Sequence, residues 1–225
     1  MVGREKLAFL DGYLFRVMVD MLRSTGTEAS GLYEFYKARI EQEGTALSGY
    51  DRILFEYVRA NFDPAERRVV HAGVGLGTLA SALAIGGFNV SGLERDGGRF
   101  GAATRIRSAL ADIWPAAAER YDLIAGVFPT VLLDTPLIAP QSILIFTNCG
   151  SNWSDDFTDS IIELFPRFGD VILDARLFGV IRELPEERSA LIARIEAKGL
   201  TATPIPETSP LNAYYYHMRH RQDRP

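Results

Sequence analysis

The stretch Val69–Ala80, VVHAGVGLGTLA, places three closely spaced glycines after a β-branched run. Gly73, Gly75 and Gly77 permit positive φ and let a ligand approach the backbone without a Cβ in the way. Glu94 follows Gly73 by about 20 residues, at the end of the next β-branched run, where a carboxylate can bind both ribose hydroxyls of a nucleotide. The spacing therefore predicts a nucleotide-containing ligand at this glycine loop, residues 73–77.

A sheet is needed to bring these residues to one edge. After Asp63 and Pro64, β-branched runs alternate with helical stretches, which indicates βαβ units and a mostly parallel sheet. The predicted strands cover residues 67–73, 88–94, 121–127, 141–149, 170–178, 200–205 and 213–220. Only a loop joins the last two, so they should be antiparallel. The predicted fold is α/β: a seven-stranded, mostly parallel, doubly wound sheet with an antiparallel last strand.

Helical spacing dominates the first part of the chain. Apolar residues recur on one face over residues 4–23, and two more helical patterns follow before Asp63. We predict a helical cap over residues 1–62 and a Rossmann-like domain over residues 63–225. Further helices are predicted at residues 77–86, 99–114, 154–165 and 185–199, with Ser154 as an N-cap.

The glycine loop departs from the dinucleotide motif G-x-G-x-x-G. Its third glycine comes one residue early, and Thr78 stands at the dinucleotide position. This G-x-G-x-G loop resembles motif I of the class I S-adenosylmethionine-dependent methyltransferases. The resemblance covers about residues 65–220 and includes Glu94, the predicted order of strands and the final antiparallel pair. It implies S-adenosylmethionine as cofactor and methyl transfer to nitrogen or oxygen of a small molecule.

The resemblance also implies roles for single residues. The glycines would pass under the methionine moiety and the ribose, Glu94 would hold the ribose, and Arg95, Val127 and Phe128 would border the adenine. Asn148, at the end of the fourth strand, would face the sulfonium and the acceptor. The implied cofactor-binding set is His71, Ala72, Gly73, Gly75, Gly77, Thr78, Glu94, Arg95, Val127, Phe128 and Asn148.

Two positions depart from the family. His71 stands where the family usually has an acid that supports the ammonium group of the cofactor, and Val127–Phe128 stand where an acid often binds the adenine amino group. A neutral imidazole carries no negative charge, so we expect cofactor binding weaker by about 1 kcal/mol. The alternative is that a neighbouring backbone group satisfies His71 at the strand end.

Candidates for the acceptor site lie in the predicted cap and after the fourth strand. Tyr33, Tyr36 and Tyr50 lie in the predicted cap, which covers the active site in small-molecule methyltransferases, but they can equally be packing residues. Asn152 and Trp153 follow the fourth strand in the sequence NCGSNW, which lacks the two prolines typical of methyltransferases acting on planar amines. Catalytic candidates are Asn148, Tyr36 and Tyr50. Substrate-binding candidates are Tyr33, Tyr36, Asn152 and Trp153.

Two other functions fit parts of the pattern. A methyltransferase-like protein that no longer methylates, and that binds S-adenosylmethionine or S-adenosylhomocysteine as a structural or partner subunit, would explain His71 and the missing acid. A nicotinamide-dependent reductase would use the same loop. The early third glycine and the antiparallel final pair disfavour the reductase.

Composition narrows the partners. The 225 residues are 47% hydrophobic and 24% charged with a net charge of −5, so no overall charge favours nucleic acid. The single cysteine, Cys149, forbids an intrachain disulfide and fits a reducing, cytoplasmic compartment. No spacing predicts a metal site. Asp11, Arg16 and Asp20 interrupt the N-terminal apolar pattern, so we expect neither signal peptide nor membrane span. The apolar first helix allows a homodimer.

Overall fold

The fold is a seven-stranded sheet with strand order β3-β2-β1-β4-β5-β7-β6 in a computed structural model of the chain. The structure describes residues 4–24, 36–37, 41, 44–133, 135–147, 155–178, 185–206 and 214–221. Strand β7 is antiparallel to both β5 and β6, whereas the β1–β4, β2–β3 and β4–β5 pairs are parallel. The predicted fold class, including the antiparallel last strand, is confirmed.

The elements begin and end close to the predicted residues. The strands are β1 (Arg68–Ala72), β2 (Asn89–Glu94), β3 (Tyr121–Ala125), β4 (Ser142–Phe146), β5 (Asp170–Asp174), β6 (Leu200–Pro204) and β7 (Tyr215–His220). The helices are α1 (Arg4–Ser24), α2 (Gly49–Asn61), α3 (Thr78–Ile85), α4 (Gly97–Ile113), α5 (Pro115–Ala118), α6 (Asp155–Leu164) and α7 (Pro185–Glu196).

Strands β3, β4 and β5 each end two or more residues earlier than predicted. Strand β3 ends at Ala125, directly before Gly126, whose φ is 149°. Strand β5 ends at Asp174, whose carboxylate accepts the backbone N–H of Arg176 at 3.0 Å. That bond accompanies a 3₁₀ turn at Ala175–Phe178, so the predicted strand 170–178 is half turn.

The chain divides into two compact units: unit 1 is Met1–Glu66 with Val74–Gly126, and unit 2 is Arg67–Gly73 with Val127–Pro225. The separation of a cap at residues 1–62 from a domain at residues 63–225 stays a prediction. Among the described residues, no helix combines the length and the apolar character needed to span a membrane.

A buried carboxylate fixes the N-terminal helices of unit 1. Asp11 of α1 is 5% exposed and accepts backbone N–H groups of Ala46 and Leu47 at 2.7 and 2.8 Å. It also accepts the Thr45 hydroxyl and pairs with Arg52 of α2. Helix α2 itself starts at a capping box between Ser48 and Asp51. These bonds hold α1 and the start of α2 together.

Unit 2 has an aromatic core on one side of its strands. The Phe146 ring of β4 lies 5.2, 6.4 and 6.0 Å from the rings of Phe128, Phe165 and Phe178. Edge and tilted packing of this kind stabilises a core beyond the apolar area it buries. Phe128 is thereby packed at the end of β3 rather than left in solvent.

Candidate functional site

The glycine loop has a left-handed backbone at each glycine. Gly73, Gly75 and Gly77 have φ of 69°, 60° and 78°. Gly77 is the N-cap residue of α3, without a side-chain cap, and its N–H bonds the Val74 carbonyl at 3.0 Å. The loop therefore turns tightly from β1 into the start of α3, and Thr78 is the first residue of that helix.

Glu94 is the last residue of β2 and lies against the loop. Its carboxylate is 5% exposed and accepts backbone N–H groups of Gly75 on Oε2 and of Arg95 and Asp96 on Oε1, each at 3.0 Å. A carboxylate oxygen can accept two hydrogen bonds. Oε2 can thus accept a ribose hydroxyl, while Oε1 already has two donors, so the geometry suits one ribose hydroxyl better than the expected pair.

The hydroxyl of Tyr36 lies beside Gly75. A Cβ built at Gly75 would stand 2.8 Å from the Tyr36 oxygen, and Tyr36 is 5% exposed. Only glycine fits there without displacing the phenol. The structure thus brings one of the tyrosines predicted for the cap to the glycine loop.

The hydroxyl of Tyr121 lies against Gly77, a contact that the sequence did not predict. A Cβ at Gly77 would collide with the Tyr121 hydroxyl, which has no hydrogen-bond partner among the described residues. Burial raises the pKa of this phenol far above its ordinary range; the charge of Arg107 opposes the shift and that of Glu94 adds to it. The hydroxyl therefore stays protonated. Its place at the start of a strand gave no signal of a contact with the loop.

His71 belongs to unit 2, on β1, and is 5% exposed. Burial lowers the pKa of its imidazole from 6.5 to about 4, so the ring is neutral at pH 7. Nδ1 is buried and has no hydrogen-bond partner among the described residues. The alternative in which a backbone group satisfies the ring is therefore not seen at Nδ1. Ala72, the next residue, is fully buried.

The residues predicted to border an adenine lie in an exposed turn of unit 2. Val127 is 47% exposed, and Phe128 packs against Phe146. Arg95 of unit 1 directly follows β2 and is exposed.

The remaining candidates are only partly described. Tyr50 is the second residue of α2 and is half-buried. Tyr33, Asn148, Asn152 and Trp153 lie outside the described residues. Within the described ranges, no three His, Cys, Asp or Glu side chains group together as a metal site.

No protein-family model and no curated protein matches the sequence. Solved methyltransferases match the structure. The CcbJ methyltransferase from Streptomyces caelestis matches with a TM-score of 0.56 and 14% identity, over 77% of this chain and 90% of that chain. The mitomycin 7-O-methyltransferase MmcR matches with a TM-score of 0.51 and 17% identity, over 76% of this chain and 53% of that one.

The methyltransferase domain of bacterial CtHen1-CN matches with a TM-score of 0.51 and 15% identity, over 75% of this chain and 97% of that one. At these identities the likeness establishes the fold. The chain has the class I methyltransferase fold, and the resemblance inferred from the glycine loop is confirmed at that level.

Proposed function

We propose that this chain binds S-adenosylmethionine and transfers its methyl group to a small-molecule acceptor. The observation that carries the proposal is Glu94, a buried carboxylate at the end of β2 that is tied to the backbone of Gly75. In a doubly wound sheet, an acid at this place takes the ribose of a nucleotide. The methyltransferase fold of the structural neighbours supports S-adenosylmethionine over a nicotinamide cofactor.

The residues present fit this cofactor. Positive φ at Gly75 and Gly77 gives the loop its tight turn, and Oε2 of Glu94, which accepts the Gly75 N–H, can accept a second hydrogen bond. We assign the cofactor to the residues named from the motif. They are His71, Ala72, Gly73, Gly75, Gly77, Thr78, Glu94, Arg95, Val127, Phe128 and Asn148.

When bound, S-adenosylmethionine supplies an electrophilic methyl group on a sulfonium. The chain would hold the acceptor in line with that group, and such alignment can contribute several kcal/mol. A neutral amine can attack with its lone pair once it is positioned, and the methylated ammonium product can lose its proton to solvent, whereas a hydroxyl acceptor also needs a general base. We propose Asn148, Tyr36 and Tyr50 as catalytic candidates and Tyr33, Tyr36, Asn152 and Trp153 as acceptor-binding candidates.

One observation favours a second candidate, a catalytically silent protein that binds S-adenosylmethionine or S-adenosylhomocysteine as a structural or partner subunit. The neutral His71 stands where an acid usually supports the cofactor ammonium. His71→Asp separates the two functions. In an active enzyme the change alters turnover, whereas in a silent protein it raises affinity without creating activity.

Two broader proposals accompany this function. The lone Cys149 supports a reducing, cytoplasmic compartment. A homodimer through α1 is consistent with Phe9, which is 54% exposed on that helix.

Calorimetric titration with S-adenosylmethionine, S-adenosylhomocysteine and NADH, each separately, tests the proposal. We expect binding of the first two and not of NADH. Binding of NADH alone would favour the reductase, and binding of none would overturn the cofactor assignment.

A further inference from the structure

The hydroxyl of Tyr36 fills the space that a side chain at Gly75 would need. A Cβ at Gly75 would lie 2.8 Å from the phenol oxygen, a separation that real Cβ atoms essentially never show. Tyr36 precedes the loop by a long stretch of chain, so the fold, and not local sequence, brings the two together. Its hydroxyl is thus held at the loop backbone, within unit 1.

The same glycine is bonded to the proposed ribose acid. Gly75 donates its N–H to Oε2 of Glu94 at 3.0 Å, so the phenol, the loop and the carboxylate form one neighbourhood. The adenine side of Glu94 is assigned to Arg95, which follows β2. The loop side, where Tyr36 lies, is therefore the side of the 5′ substituent of the ribose.

That 5′ substituent ends in an amino acid. Its ammonium needs an acceptor and its carboxylate needs a donor, and one phenol hydroxyl can serve as either. The motif position that usually supplies a carboxylate to this end carries His71, which is neutral. The tail of the cofactor therefore needs a further polar group, and the Tyr36 hydroxyl lies at Gly75 of the glycine loop.

We infer that the Tyr36 hydroxyl hydrogen-bonds the aminoacyl end of the cofactor and so selects adenosyl ligands that carry an amino-acid tail. This inference rests on the proposed function. It moves Tyr36 from the acceptor side of the site, where the sequence placed it, to the cofactor side.

The test compares two ligands in wild type and Tyr36→Phe. S-adenosylhomocysteine carries the tail, whereas 5′-methylthioadenosine shares its adenosine and thioether but lacks it. We expect Tyr36→Phe to raise the Kd of S-adenosylhomocysteine about 3- to 10-fold, the loss of one hydrogen bond, and to leave the Kd of 5′-methylthioadenosine unchanged. Calorimetry measures the first ligand, and thermal shift at millimolar concentration measures the second.

Tyr13→Phe is the matched control. Tyr13 lies on α1, and its hydroxyl donates to the Ala109 carbonyl at 3.3 Å, so its removal should change neither affinity. Thermal unfolding without ligand verifies that both variants fold.

Three outcomes would overturn the inference: unchanged affinity for both ligands, equal weakening of both, or tighter binding of S-adenosylhomocysteine. Equal weakening would place the phenol on the adenosine or the loop, and tighter binding would make it an obstacle. If wild type binds neither ligand, the proposed function itself fails. If wild type binds both ligands and only the selective loss is missing, the inference alone fails.

Discussion

Two buried carboxylates, Glu94 in unit 1 and Asp170 in unit 2, are equally covered, each 5% exposed. Glu94 ends a strand and is held by backbone N–H groups of Gly75, Arg95 and Asp96. Asp170 begins a strand and is held by side chains: His217 at 2.7 Å, the paired guanidinium of Arg67, and Arg219 at 3.7 Å.

We propose that the kind of hydrogen-bond partner separates a ligand-binding carboxylate from a structural one. Burial by itself would raise the pKa of Asp170, but the hydrogen bond with His217 and the charges of Arg67, His217 and Arg219 together lower it. The Asp170 carboxylate thus links β5 to His217 of β7 and to Arg67, which directly precedes β1. Glu94, the proposed ribose acid, is bound by backbone N–H groups at the edge where parallel sheets bind ligands, and its Oε2 can accept one more hydrogen bond.

The largest expected effect is on Asp170. Asp170→Asn should lower the free energy of unfolding by about 2–4 kcal/mol. The buried His217 would lose the negative charge beside its ring, whereas the arginines can still reach water. Urea unfolding at pH 7 measures it. Glu94→Gln is the matched control and should cost only about 1–2 kcal/mol, since an amide oxygen still accepts N–H groups. Equal losses would remove the distinction between the two carboxylates.

His71 adds a buried ionisable group whose Nδ1 has no hydrogen-bond partner among the described residues. Its folded pKa of about 4 lies below the unfolded 6.5, so the unfolded chain binds more protons between these values. Titration of His71 therefore leaves the free energy of unfolding unchanged above pH 6.5 and lowers it between pH 6.5 and pH 4, by at most about 3 kcal/mol. The contribution of Asp170 falls only as pH drops below its unfolded value of 3.8.

Urea unfolding from pH 4.5 to 7.5 tests this. His71→Gln should flatten the profile of wild type, because it removes the buried imidazole. A wild-type profile that His71→Gln leaves as steep would show that the imidazole is not held neutral.

The glycine loop should tolerate no side chain at Gly77. Gly77→Ala places a Cβ on the Tyr121 hydroxyl at φ 78°, and we expect a loss of about 2 kcal/mol. Adding Tyr121→Phe removes the phenol oxygen and should restore part of the lost stability. Gly101→Ala on α4, with no atom within 4 Å of its Cβ, should instead gain about 0.5–1 kcal/mol. Thermal unfolding of the four proteins measures all three effects, and a harmless Gly77→Ala contradicts the packing argument.

The smallest effect belongs to exposed ion pairs. Arg194 pairs with Asp159 and Lys198 with Glu163, and all four side chains are more than a third exposed. Arg194→Gln should change the free energy of unfolding by less than about 1 kcal/mol, and less again in high salt. If Arg194→Gln lowered the free energy of unfolding as much as Asp170→Asn, an exposed ion pair would stabilise the fold as much as the buried one, and burial would not explain the role of Asp170.

The strand order and the ligand edge could be predicted because they depend on local patterns. Alternating β-branched and helical stretches give the sheet, and the spacing of Gly73 and Glu94 places both at strand ends. Contacts between distant parts of the chain could not be predicted. Tyr36, from the N-terminal part of the chain, and Tyr121, at the start of β3, lie beside Gly75 and Gly77 only in the folded chain.

The ion pairs between residues far apart in the sequence could not be predicted either. His217 resembled an ordinary strand residue, because Asp170 is far away in sequence and no periodicity links the two. The early ends of β3 and β5 coincide with the positive φ of Gly126 and with the side-chain hydrogen bond of Asp174, neither of which a strand pattern predicts.

Titration of S-adenosylhomocysteine into wild type, Glu94→Gln and Asp170→Asn tests the central claim most directly, under conditions where all three are folded. We expect Glu94→Gln to weaken binding about 10- to 100-fold through loss of a charge-assisted bond to the ribose, and Asp170→Asn to bind like wild type despite its lower stability. Wild-type affinity in Glu94→Gln would contradict the assignment of this carboxylate to the ligand.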